Sequence, residues 1–118
     1  MRTVVVLEGD QTGQELLEES LRALDVSVTG VPLRLERFDL SLESRRRTAN
    51  GITRDAATAM RGAGLGIKAA TITPETKGDV GSPNAIVREL IDGSVILRVG
   101  RRLPGVRPVG GASAPIAV

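Results

Sequence analysis

Residues 3–7 read Thr-Val-Val-Val-Leu, a β-branched run that stops at Glu8-Gly9-Asp10 and gives way at once to a helical pattern. No other feature constrains the fold as much. A strand that is apolar at every position has both faces covered, which calls for helices on either side of a sheet. The helix is expected from Thr12, as its cap, to about Leu24. Leu16, Leu17, Leu21 and Leu24 recur there at three- and four-residue spacing, and Glu15, Glu18 and Glu19 place negative charge in its first half, where the helix dipole favours it.

The alternation continues along the chain. In residues 31–40, Leu33 and Leu35 alternate with Arg34 and Glu36, which predicts a strand with one solvated face. Residues 44–50 hold three consecutive arginines and end at Asn50-Gly51. Repulsion between the like charges predicts a loop there. A second helix is expected over residues 53–60, with Thr53 as its cap and Ala56, Ala57, Ala59 and Met60 supplying helix propensity. Residues 64–70 read as a short strand, 71–83 as a loop rich in Thr, Pro and Gly, 84–91 as a helix, and 94–99 (SVILRV) as a strand. The expected order is β-α-β-α-β-α-β. This predicts an α/β fold, layered α/β/α, with a mostly parallel sheet and right-handed crossovers.

A chain of 118 residues suits a single domain, residues 1–118. Phe38 is its only aromatic residue, so the core is built from Val, Ile, Leu and Ala and is expected to be marginal. There are no cysteines, which excludes disulfides, thiolate metal sites and cysteine nucleophiles. Histidine and tyrosine are absent too, leaving only Lys, Asp and Glu for proton transfer. The net charge of +2 is too small to imply nucleic acid, despite a pI of about 9.9. No run has the apolar length of a membrane span, and Met1-Arg2 leads into a strand rather than a signal peptide, so a cytoplasmic protein without a membrane partner is expected.

Three segments carry chemistry. Gly9-Asp10-Gln11-Thr12-Gly13-Gln14-Glu15 forms a turn between strand and helix. Lys68-Ala69-Ala70-Thr71-Ile72-Thr73-Pro74 sets an amine before two hydroxyls. Ser82-Pro83-Asn84-Ala85-Ile86-Val87-Arg88 opens a helix, and Arg98 follows ten residues later. A hydroxyl, an amide and free backbone N–H groups at a helix start converge on an anion, and two guanidinium forks suit a carboxylate-rich ligand. Taken singly, Ser82 and Asn84 also read as helix caps, Arg88 as a solvated helix residue, and Lys68 as an exposed amine at a strand end.

Together, in this order, the segments resemble the isocitrate/isopropylmalate dehydrogenase family of metal-dependent β-decarboxylating dehydrogenases, in its amino-terminal part. The first is similar to the family turn G-D-G-I-G-x-E, with Gln11 where that turn has its second glycine. The second is similar to the T-x-P loop between substrate and nicotinamide. The third is similar to the S-x-N-x-x-x-R…R signature. The resemblance implies a partial isopropylmalate dehydrogenase-like fold in which Ser82, Asn84, Arg88, Arg98 and Lys68 bind substrate and Thr73 stands near the cofactor. It also implies NAD or NADP with Mg²⁺ or Mn²⁺, none of them bound by this chain alone. The family's metal-binding aspartates, catalytic lysine and tyrosine, and adenosine loop lie beyond the region of resemblance, and Asp10, Asp39, Asp79 and Asp92 do not match the metal-ligand positions.

The resemblance implies a truncated or partial dehydrogenase retaining part of a 2-hydroxy polycarboxylate site. The alternative is a noncatalytic α/β module that binds a partner chain or an anion. A homo-oligomer or a complementing chain is the expected protein partner, because open sheet edges and an apolar tail invite pairing. A nucleic-acid patch of Arg98, Arg101, Arg102 and Arg107 ranks last, as no aromatic side chain accompanies it. Residues 108–118 carry no charge and are expected to belong to a larger structure. Ser113-Ala114-Pro115-Ile116-Ala117 within them echoes the adenosine loop only by accident.

Overall fold

The computed structural model describes residues 1–107 and 110; the expectations for the uncharged tail and for residues 113–117 lie outside the described residues. The elements are β1 (Arg2–Glu8), α1 (Gln11–Ala23), α2 (Val26–Thr29), β2 (Leu33–Asp39), α3 (Leu42–Arg47), α4 (Gly51–Ala63), β3 (Gly66–Lys68) and α5 (Pro83–Leu90). The strands form a parallel sheet in the order β2-β1-β3. The register runs from Arg2 opposite Leu33 to Glu8 opposite Asp39, and from Val5 opposite Gly66 to Leu7 opposite Lys68.

The central place of β1 follows from its sequence. Val5, Val6 and Leu7 are fully buried, and successive residues point to opposite faces. Val6 meets Leu17 and Leu21 of α1, with Ala69, Leu24 and Ile67 around them. Val5 and Leu7 meet Ala56 and Ala57 of α4 and Val87 of α5, with Leu40 beside them and Phe38 at the margin. The sheet is thus covered on both faces, the α/β arrangement that the alternation predicts. Among the described residues, no helix is long and apolar enough to cross a membrane.

Several expectations need correction. The cap of α1 is Asp10 rather than Thr12, and the first turn of that helix carries no acidic residue. Asn50, not Thr53, caps α4, where Thr53 is fully buried and its hydroxyl donates to the Asn50 Oδ1 at 3.4 Å. The triple-arginine stretch is not a loop. It forms the second half of α3, leaving only residues 48–50 as a turn, and Ser41 caps this helix by accepting from the Ser44 N–H while the guanidinium groups are drawn apart to different partners, so their repulsion is relieved.

Residues 94–99 are not a strand. They run without sheet pairing, and Val95, Leu97 and Val99 are 84%, 84% and 77% exposed. The physical reason is context: β-branched residues favour a strand only where a neighbouring strand and a covering face receive them, and the three residues of β3 offer little of either. The β2 expectation holds, although this edge strand leaves Leu35 38% exposed.

Candidate functional site

All three parallel strands end on the same side, and the loop of residues 71–82 lies there. In open α/β sheets this is where ligands bind, outside the carboxyl ends of the strands and at the point where the chain reverses its direction of winding. With the order β2-β1-β3, that point falls between β1 and β3. The ladder between them continues past the strands, as the Ala69 N–H donates to Leu7 O at 2.9 Å and the Asp10 N–H to Ala70 O at 3.2 Å. Gly9 and Gly13 make this approach possible. A Cβ on either would stand 2.0 Å or 2.5 Å from the Ala70 carbonyl oxygen. Gln11, between them, adopts a positive φ of 46°, a conformation that favours glycine.

Lys68 ends β3 half-buried, its Nζ donating to Ala69 O at 2.9 Å and to the Thr71 hydroxyl at 3.2 Å. Burial pushes its pKa below the ordinary lysine value. The Arg45 charge adds to the fall, and Asp10 opposes it. Ser82 caps α5, its hydroxyl accepting from the Asn84 N–H at 3.3 Å, and Pro83 fills the first turn. Ser82, Asn84 and Arg88 are exposed. Asn84 and Arg88, four residues apart, share a helix face. Thr73 is exposed within the loop. Arg98 is not brought to this edge by a strand, since it lies in the unpaired segment after α5.

Two residues that the sequence reading did not assign to the site organise its loop. The Arg45 side chain is fully buried, its Nε donating to Leu40 O at 2.9 Å and its two terminal nitrogens to Gly81 O and Ile72 O. Asp10 accepts from the Leu42 N–H through Oδ1 and from the Ile72 N–H through Oδ2, each at 2.9 Å, and Oδ2 lies 3.9 Å from Arg45. Burial pushes the Arg45 pKa down, Asp10 and Asp79 pull it back, and Arg46 adds to the fall. Two further ties run from the same region. Asn50 donates to Val80 O at 2.9 Å, and Arg46 pairs with Asp79 at 2.6 Å, which holds the Asp79 carboxyl below its ordinary range.

No family profile matches the chain. It is 35% identical over 115 residues to the mitochondrial NADP isocitrate dehydrogenase of Saccharomyces cerevisiae, covering 86% of this chain and 26% of that enzyme. It is 34% identical over 116 residues to the NADP isocitrate dehydrogenase of Sphingobium yanoikuyae, covering 86% and 28%. Against the mitochondrial NADP isocitrate dehydrogenase of Aspergillus niger it is 33% identical over 124 residues, covering 98% and 24%. The chain thus spans about a quarter of the length of the curated relatives it matches. Identity at this level over most of the chain, on a parallel α/β sheet, assigns it to the isocitrate/isopropylmalate dehydrogenase family, of which it is a partial region.

Proposed function

We propose that this chain supplies part of the substrate site of an NAD(P)-dependent β-decarboxylating dehydrogenase acting on a 2-hydroxy polycarboxylate. The observation that carries the reading is the start of α5, where Ser82, Asn84 and Arg88 stand on a capped helix at the carboxyl ends of the strands. In this reading the Arg88 guanidinium grips a substrate carboxylate, and the Ser82 and Asn84 side chains orient it with the first N–H groups of the helix. Lys68 adds an amine whose lowered pKa eases proton loss, and Arg98 joins once residues 94–99 are seated on a sheet. The relatives are named for isocitrate and NADP, which makes isocitrate the first ligand to test.

The site is incomplete among the described residues. Among the described residues no three acidic, histidine or cysteine side chains cluster to hold a metal ion, so the residues present do not fit the Mg²⁺ or Mn²⁺ that the resemblance implies. Thr73 alone does not make a dinucleotide cradle. We assign both groups, and the proton-transfer residues, to parts of the family's length that these residues do not span, whether carried on the same polypeptide or by a partner chain. The exposed apolar side chains of Val95, Ile96, Leu97 and Val99 favour such a partner. The noncatalytic alternative gains nothing from the relatives, each named a dehydrogenase. A cytoplasmic location belongs to the same proposal, against two relatives named mitochondrial.

Isothermal calorimetry with isocitrate and isopropylmalate, with and without Mg²⁺, tests this reading. Weak binding that Arg88→Ala abolishes while circular dichroism stays unchanged is the expected result. Equal heats for the two proteins, or none from a folded chain, would refute it.

A further inference from the structure

Arg45 is a fully buried charged side chain, and such groups are rare unless they are paired and hydrogen-bonded. Its partners are informative. One is Leu40 O, just past β2, and the other two, Ile72 O and Gly81 O, lie near opposite ends of the loop of residues 71–82. Asp10 completes the arrangement from the end of β1 by accepting from the Ile72 N–H and lying beside the guanidinium. The two side chains therefore tie the loop carrying Thr71 and Thr73, and the entry to α5 at Ser82, to the ends of two strands. Among the described residues, no buried side-chain nitrogen or oxygen lacks a hydrogen-bond partner, and each Arg45 guanidinium nitrogen is engaged by a backbone carbonyl.

We infer that Arg45, with Asp10, is the positioning residue of the strand-end site, fixing the 71–82 loop so that Lys68, Thr73 and the start of α5 present their polar groups to one ligand. The inference rests on the substrate-site reading above for the identity of the ligand, and on the geometry alone for the loop. A planar fork reaches three carbonyls in different directions. A lysine ammonium at the same position keeps the charge and cannot span them.

The test is amide hydrogen exchange on the full chain, with isocitrate affinity measured in parallel, for wild type, Arg45→Lys and Asp10→Asn. Loss of the tie is expected to speed exchange at Ile72, Asp79 and Val80 by about tenfold or more beyond any change at Val5, Val6 and Leu7, because local opening is separable from global unfolding. Isocitrate affinity is expected to fall by about tenfold, the equivalent of roughly 1.4 kcal/mol. Unchanged loop exchange, or a loosened loop with undiminished isocitrate affinity, would overturn the inference. If Arg45→Lys loses protection in β1, Asp10→Asn carries the comparison. Unfolding of both variants would overturn the inference by making the pair a strut of the whole fold. The exchange comparison needs no ligand, so a wild-type chain that binds no isocitrate refutes the substrate reading and still leaves the loop claim to be decided.

Discussion

Replacing Asp10 by asparagine changes the shape of the side chain very little and removes what its position requires, two acceptors and a negative charge. Oδ1 and Oδ2 each hold a backbone N–H at 2.9 Å, from Leu42 and Ile72. Whichever way the substituted side-chain amide turns, one of those N–H groups faces an NH₂ and loses its acceptor. A hydrogen bond to a charged group is worth about 1.5–3 kcal/mol, less where water can take the donor, as at the half-buried Leu42 and the exposed Ile72, and the surviving bond drops from charge-assisted to neutral, a further loss of about 1 kcal/mol. Arg45, whose side chain is fully buried, also loses the carboxylate 3.9 Å away. These terms overlap, and a net loss of about 2–4 kcal/mol is expected, a large share of the roughly 5–15 kcal/mol available to a domain. The melting temperature should fall by about 8–16 °C, at roughly 4 °C per kcal/mol. Urea titration followed by far-ultraviolet circular dichroism is the suitable assay, since a chain without Trp or Tyr has no useful intrinsic fluorescence. A loss below about 0.5 kcal/mol with an unchanged slope would place the variant among ordinary surface substitutions and refute the reasoning.

Two further outcomes follow from the same geometry. Gln11→Gly relieves a positive φ at the position where the resembling family turn has glycine, and it should raise stability by about 0.5–1 kcal/mol after the entropy that glycine adds to the unfolded chain; a lower urea midpoint would contradict this. Glu18, beside Arg37, Asp25, bonded to Ser27, and Asp79, beside Arg46, have pKa values held below the ordinary carboxylate range. Their contribution is therefore complete above the unfolded value of about 4 and is lost as pH falls through the depressed values, so stability should be level from about pH 7 to 5 and decline below about 4. Molar salt should shrink that decline, as Asp25 is exposed and Glu18 and Asp79 are partly so, and a decline beginning near neutrality would point to other groups.

The extent to which this was legible in the sequence differs from element to element. β1, α1, α4 and α5 announce themselves because their apolar residues recur at the period of the structure they form, and the core on both faces of β1 follows from the unbroken apolar run of residues 4–7. The start of α5 was equally legible, since a serine followed by proline before an apolar pattern is a helix-start signal that the structure uses as such. α3 was hidden by its charge. Three adjacent arginines look mutually repulsive, and only the fold reveals that one of them is buried among carbonyls while another meets Asp79. A usable signal stood at Ser41, whose hydroxyl caps the helix ahead of Glu43 in its first turn. Nothing in the sequence marks Arg45 as the buried one of the three, because its partners are backbone groups far away in the chain. Residues 94–99 failed for the opposite reason, having strand composition without a neighbour to pair with.

The central claim is that the strand ends and the start of α5 form one binding site for a polycarboxylate. Backbone amide NMR of the ¹⁵N-labelled chain during titration with isocitrate tests it most directly, since it needs no turnover and reads every described position except the prolines. The account predicts saturable shifts concentrated at residues 68–73 and 82–88, with the rest of the sheet unmoved. Shifts confined to the arginines at 101, 102 and 107, or no shifts from a chain whose β1 amides are protected, would contradict it.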